Sequence, residues 1–145
     1  MNYQKYFKDK IFIEDNKHDL YATLKEITGL TMKDIFLLSV AIGYNEGKKQ
    51  EVKNKRDIFS IQQFSEQDFP LLLSIAIDDI RTNKSSEELT FDKVFEKINK
   101  EIVSSIIESY ANTGIDRLIE ISKFTINQKK EYFVSNFLTY IHKFS

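Results

Sequence analysis

Between Thr31 and Arg56 the chain passes from a segment with almost nothing polar to one with almost nothing apolar. Ile35, Phe36, Leu37, Leu38, Val40, Ala41 and Ile42 cover most of the circumference of a helix, and a helix that apolar has to be enclosed by other elements. Thr31 and Asp34 have the spacing of a helix start at which side chain and backbone serve each other, while Gly43 and Gly47 supply stop residues. The following stretch, Asn45 to Asp57, has almost nothing to bury, which predicts a solvated and mobile loop. A buried anchor therefore leads into an exposed, lysine-studded lip.

What must enclose the anchor can be read along the rest of the chain. Leu20, Tyr21, Leu24 and Ile27 share one face of a helix that Asp15 or Asn16 would cap and Gly29 would close. Asp68 ahead of Phe69-Pro70 marks another start, because proline is tolerated in the first turn, and Leu71, Leu72, Leu73, Ile75, Ala76, Ile77 and Ile80 follow. Arg81 to Glu88 reads as an exposed linker and Thr90 as a cap. From Phe91 the apolar positions Val94, Phe95, Ile98, Ile102, Val103, Ile106, Ile107 and Tyr110 keep the helical period. Asn112-Thr113-Gly114 breaks that run, and a short helix with Ile115, Leu118 and Ile119 comes next. A turn near Thr125 to Asn127 precedes a last helix bearing Tyr132, Phe133, Phe137, Tyr140 and Ile141. Ile11 to Ile13 and Ile58 to Ile61 have the composition of a two-stranded element, although a helical turn fits the second run nearly as well. These readings predict a mainly α fold, a compact bundle of about six helices with a small β element.

At 145 residues the chain is long enough to bury one core without disulfides or a structural metal, so a single domain over residues 1–145 is expected. Zero cysteines exclude disulfides and cysteine-based zinc sites. No uncharged apolar run reaches the roughly 20 residues that cross a bilayer, and no leader-like start is present, so a cytoplasmic protein without membrane contact is expected. A net charge of −1 gives no global attraction to nucleic acid; any charged partner has to meet a local patch.

One such patch is the lip. Lys48, Lys49, Lys53, Lys55 and Arg56 have the chemistry to neutralise a phosphate backbone, and Tyr44 beside them offers a ring for stacking. Glu46, Glu51 and Asp57 dilute the charge, so a merely solvated loop fits the same residues. Asp78, Asp79, Glu87, Glu88 and Asp92 invite a two-metal nuclease reading. Adjacent acids on a helix diverge by about 100°, no lysine completes a nuclease signature, and solubility of a helix face accounts for them. His18 and His142, far apart and flanked by lysine, read as surface histidines. Serine-nucleophile motifs and phosphate-binding glycine loops are absent, so no catalytic residue, cofactor or metal is expected.

Three stretches carry a resemblance. Thr31-Met32-Lys33-Asp34-Ile35-Phe36-Leu37-Leu38-Ser39-Val40-Ala41-Ile42-Gly43-Tyr44 with Glu46-Gly47-Lys48-Lys49 is the first. Arg56-Asp57-Ile58-Phe59 through Phe69-Pro70-Leu71-Leu72-Leu73-Ser74-Ile75-Ala76 is the second. The third is Glu108-Ser109-Tyr110-Ala111-Asn112-Thr113-Gly114-Ile115-Asp116-Arg117-Leu118, where Thr113 stands at a usual glycine position. In their order they resemble a family of small bacterial proteins associated with DNA phosphorothioation (Dnd-type) anti-phage defence systems. The likeness spans most of Leu20 to Ile121 and rests on core and cap residues, so it bears on fold more than on activity. It implies a mostly helical, non-enzymatic accessory or regulatory subunit that works beside a larger ATPase or DNA-processing partner. It carries over no catalytic residue. Tyr44, Lys48, Lys49, Lys53, Lys55 and Arg56 are the expected contact surface for that partner or, alternatively, for DNA.

Overall fold

The computed structural model describes residues 2–83, 93, 94, 96, 98–122 and 130–142. Among them a short 3-10 turn, Tyr3–Tyr6, leads to strand β1 (Lys10–Glu14), and a second such turn, Asp15–Lys17, leads to helix α1 (His18–Thr28). Helix α2 (Met32–Glu46), strand β2 (Lys55–Ser60) and a 3-10 turn (Ile61–Gln63) follow, then α3 (Asp68–Asn83), α4 (Lys100–Ser122) and α5 (Lys130–His142). The fold is mainly α with one antiparallel strand pair, as the sequence predicts. The expected cap at Thr90, the acids Glu87, Glu88 and Asp92, and the turn at Thr125 to Asn127 lie outside the described residues.

Helix α2 begins where its sequence indicates. The Thr31 side chain accepts from the Asp34 N–H and the Asp34 carboxylate accepts from the Thr31 N–H, so two N–H groups without intrahelical partners are satisfied at once. Gly47, at φ 68°, ends it. Gly43 does not. It lies inside the helix because α2 and α4 cross there backbone to backbone: a Cβ on Gly43 would fall 2.1 Å from the Tyr110 carbonyl oxygen, and one on Gly114 1.7 Å from that of Ser39. The same contact explains why Asn112-Thr113-Gly114 is no break. Gly114 supplies room for α2, and α4 runs through it unbroken. One turn beyond the crossing on each helix, Arg117 Nε donates to Glu46 Oε2 at 2.8 Å, so the pair runs in one direction.

Three other boundaries differ from expectation. The long period from Phe91 is interrupted, because Ile98 and Asn99 leave the helix and the Asn99 side chain accepts from the Ile102 N–H to start α4. Neither Asp15 nor Asn16 caps α1, since both belong to the preceding 3-10 turn. Strand β2 starts earlier than Ile58, drawing Lys55-Arg56-Asp57 out of the predicted loop and into register with Glu14, Ile13 and Phe12. A bulge between Ile11 and Phe12 offsets the pairing, and the Phe12 N–H donates instead to Glu108 Oε2 of α4 at 2.8 Å.

The core joins the strand pair and the helices. Ile11, Ile13, Tyr21, Leu24, Ile35, Phe36, Val40, Leu72, Ala76, Ile107, Ile115 and Leu118 are all buried. Phe36, Phe59, Phe64, Phe69 and Phe7 form a chain of tilted and edge-on rings from α2 across to the start of α3, an arrangement aromatic quadrupoles favour. Among the described residues no single helix is long and apolar enough to cross a membrane.

Candidate functional site

The lip is not a loose loop. Its backbone is fastened to α4 by the polar residues in the middle of that helix: Asn112 Nδ2 donates to the Gln50 carbonyl at 3.1 Å and Thr113 Oγ1 to the Lys48 carbonyl at 2.6 Å, while the Gln50 N–H donates to the Ser109 carbonyl at 3.0 Å. Val52 is buried, and Glu14 of β1 accepts from the N–H groups of Lys53 and Asn54. The predicted mobility is therefore replaced by a pinned strap. Most side chains of the lip are solvated, whereas its backbone polar groups find partners on elements distant in the chain.

Beneath the strap lies a buried acid. Asp79 is only 4 % exposed, and it accepts from Lys49 Nζ at 2.8 and 2.9 Å and from the Tyr110 hydroxyl at 2.5 Å. The Tyr44 hydroxyl donates to the neighbouring Asp78 at 2.6 Å, and the Tyr44 and Tyr110 rings meet edge-on at 5.6 Å. Burial, reinforced by the hydrogen bond to Asp79, holds the Tyr110 phenol well above its ordinary range, and the bond to Asp78 raises that of Tyr44. Asp79 is not on a soluble helix face as expected; it follows Leu72 and Ala76 on the buried face of α3, a placement the 3.6-residue period already implies.

The predicted contact residues thus separate into groups. Tyr44 and Lys49 enter one network with Asp78, Asp79 and Tyr110, which joins α2, α3, α4 and the strap. Lys48 and Lys53 are exposed on the strap. Lys55 and Arg56 leave in different directions from β2, Lys55 over the Phe12 ring at 6.0 Å and Arg56 toward Asp15 at 3.5 Å. Among the described residues no three His, Asp or Glu side chains gather as a metal site.

An apolar groove of about 530 Å³ opens beside Tyr44. Leu37, Leu38, Ala41 and Asn45 of α2 form one wall, Leu71 and Ile75 of α3 the other, and Phe137, Tyr140 and Ile141 of α5 close the side. Helix α5 is tied to the body at this place. The Tyr140 hydroxyl donates to Glu46 Oε2 at 2.7 Å, and Asn136 Nδ2 donates to the Ser122 carbonyl at 2.7 Å. Burial alone would raise the Glu46 carboxyl, but the bonds from Tyr140 and Arg117 outweigh it and hold the group below its ordinary range. Leu71 is 57 % exposed and Ile141 45 %, with Leu138 at 59 % one turn before Ile141. The sequence placed Leu71 in the core, because the run Leu71-Leu72-Leu73 does not tell which leucine of three faces away.

Fold and site together define a mainly helical protein with a small two-stranded sheet, a pinned basic strap and an apolar groove at its edge. The chain belongs to the family described as DNA sulphur modification system-associated protein 4, whose model matches residues 10–141. The match takes in β1 and nearly all of α5, both outside the stretches that carried the resemblance. No curated protein and no solved structure matches the chain.

Proposed function

We propose that this protein is a non-enzymatic, single-domain accessory or regulatory subunit of a bacterial anti-phage system that modifies DNA with sulphur. It works in the cytoplasm, docked on a larger ATPase or DNA-processing component. The observation that carries the reading is the juxtaposition of an apolar groove with charged residues of the neighbouring strap, the pattern of an apolar contact centre with a polar rim. Membership of a family associated with such a system supports the setting. Tyr44 belongs to the centre, Lys48 follows just past the end of α2, and Lys53, Lys55 and Arg56 extend the basic surface toward the strand pair. Lys49 supports the strap through Asp79 as well as offering charge.

Direct DNA binding through the same cations is the second reading. It draws on the exposed Lys48 and Lys53 but is weakened by the acids beside Lys49 and Arg56. A tagged chain recovered from its native cells tests both. Co-purification of a component of the sulphur modification system, retained in nuclease-treated extract, is the expected result. Changing Lys48, Lys53, Lys55 and Arg56 to glutamate should weaken capture without lowering Tm. Lys49 is left unchanged because it neutralises Asp79. A chain recovered alone refutes the docking reading, and binding to DNA that falls steeply with salt favours the second one.

A further inference from the structure

Along α4 the buried polar side chains Ser104, Glu108 and Asn112 follow one another a turn apart, and each holds a different segment of the chain. Ser104 Oγ accepts from the Lys8 N–H at 3.0 Å, Glu108 Oε2 accepts from the Phe12 N–H at 2.8 Å, and Asn112 fastens the strap. The middle rung differs from the other two. Ser104 and Asn112 are neutral, whereas Glu108 is an acid only 3 % exposed, with one N–H donor and no ion pair among the described residues. A neutral carboxyl tolerates such surroundings; an ionised one is left poorly compensated.

A place for the ionised form lies alongside. Glu101, Ser105 and Glu108 succeed one another on one face of α4, and Lys8, Lys55, Glu101, Ile102, Ser105 and Ile106 line a cleft of about 390 Å³ there. The charged groups that face Glu108 are Lys8 from the segment ahead of β1, Lys55 from β2 and Glu101 from α4 itself. Lys8 Nζ is already held by Glu101 at 3.1 Å. Lys55 Nζ lies over the Phe12 ring at 6.0 Å and has no carboxylate partner among the described residues. Burial pushes the Glu108 carboxyl up to about 7 against the Phe12 bond and both lysines, so its proton is exchanged near neutral pH.

We propose that Glu108 is a proton-operated latch between α4 and β1. In its neutral form the carboxyl stays inside and clamps the Phe12 N–H. On ionisation the proton passes to water, the side chain turns into the cleft to pair with Lys55, and a water takes its place at Phe12. The bulge in β1 permits this, because the Phe12 N–H is directed at α4 instead of β2 and its release leaves the strand pairing intact. At higher pH the latch also draws Lys55 out of the basic surface. It goes beyond the docking reading and does not depend on it.

The test follows the Glu108 carboxyl carbon and backbone amide exchange by NMR on the full chain, from about pH 5.5 to 8.5. The carboxyl carbon and the Phe12 amide should titrate together at about pH 7. Protection of the Phe12 amide, corrected for the intrinsic pH dependence of exchange, should fall about fivefold or more above that midpoint, while Ile13, paired with Arg56, keeps its own. Lys55→Met, at an exposed position, should raise the midpoint by about half a pH unit or more and keep Phe12 protected to higher pH. Glu108→Gln should abolish the step in Phe12 protection. A Glu108 carboxyl that does not titrate near neutral pH, one that does so with Phe12 still protected, an unchanged midpoint in Lys55→Met, or a step that survives Glu108→Gln overturns the latch.

Discussion

Replacing Gly114 by alanine sets two physical effects against each other. Within an exposed helix the change stabilises by about 1 kcal/mol, because glycine loses more backbone freedom on folding than alanine does. At this crossing the added Cβ would lie 1.7 Å from the Ser39 carbonyl oxygen and 2.9 Å from the Ser39 Cα. The first distance is nearly 2 Å inside an ordinary van der Waals separation of ~3.5 Å, and a gap of even 0.5–1 Å removes a quarter to a half of each contact's attraction. The clashing atoms are backbone, so no rotamer relieves them; α2 and α4 must move apart. That loosens Val40, Ile107, Ala111, Ile115 and Leu118 around the crossing. Overpacking in a core costs about 1–3 kcal/mol where side chains can adjust, and here they cannot. A net loss of ~3 kcal/mol or more is expected after the propensity gain. Urea unfolding followed by far-UV circular dichroism reads it: with a slope of about 2 kcal/mol per molar the midpoint falls by roughly 1.5 M. Ser105→Ala, at an exposed position of the same helix, serves as the control and should stay within about 0.5 kcal/mol of the parent. A Gly114→Ala protein as stable as the parent would refute the close approach.

Two further changes probe the strand pair and the strap. Glu108 is 3 % exposed, and burial raises its carboxyl from the ordinary 4.5 to about 7 despite the Phe12 N–H bond and the charges of Lys8 and Lys55. A carboxyl raised on folding stabilises fully below its unfolded pKa and loses that contribution as pH climbs through the folded one, so the parent should lose on the order of 3 kcal/mol between pH 4.5 and 8 from this group. Glu108→Gln keeps an acceptor for Phe12 and removes the proton equilibrium; its urea midpoint should fall less over that range and exceed the parent's at pH 8, and equal pH slopes would contradict the assignment. Asn112→Ala deletes both side-chain bonds to the Gln50 and Glu51 carbonyls. Amide exchange at Lys49 to Lys53 should accelerate at least tenfold while β1 keeps its protection, and unchanged exchange would mean that Asn112 does not hold the strap.

Much of the architecture is local chemistry and was legible for that reason. The Thr31–Asp34 box and the Gly29 and Gly47 stops each depend on residues close in sequence, and the two strands show in their own β-branched and aromatic composition. What misled was glycine and polarity inside helices. Gly43, Asn112 and Gly114 have the composition of a break, and only the presence of another backbone at that height turns them into a crossing. The strap followed the same logic, since its solvated side chains say nothing of the carbonyls held by Asn112 and Thr113.

The amino-acid order by itself determined that this chain is helical and that its most apolar helix is enclosed, because burial of periodic apolar side chains is written residue by residue. It also placed a cluster of lysines beside that helix. Tertiary structure alone decided which leucine stays outside, which carbonyls hold the strap, and that two parallel helices leave a groove between them. Those outcomes depend on the relative position of elements tens of residues apart, and a one-dimensional period carries no information about which of several apolar faces finds a neighbour.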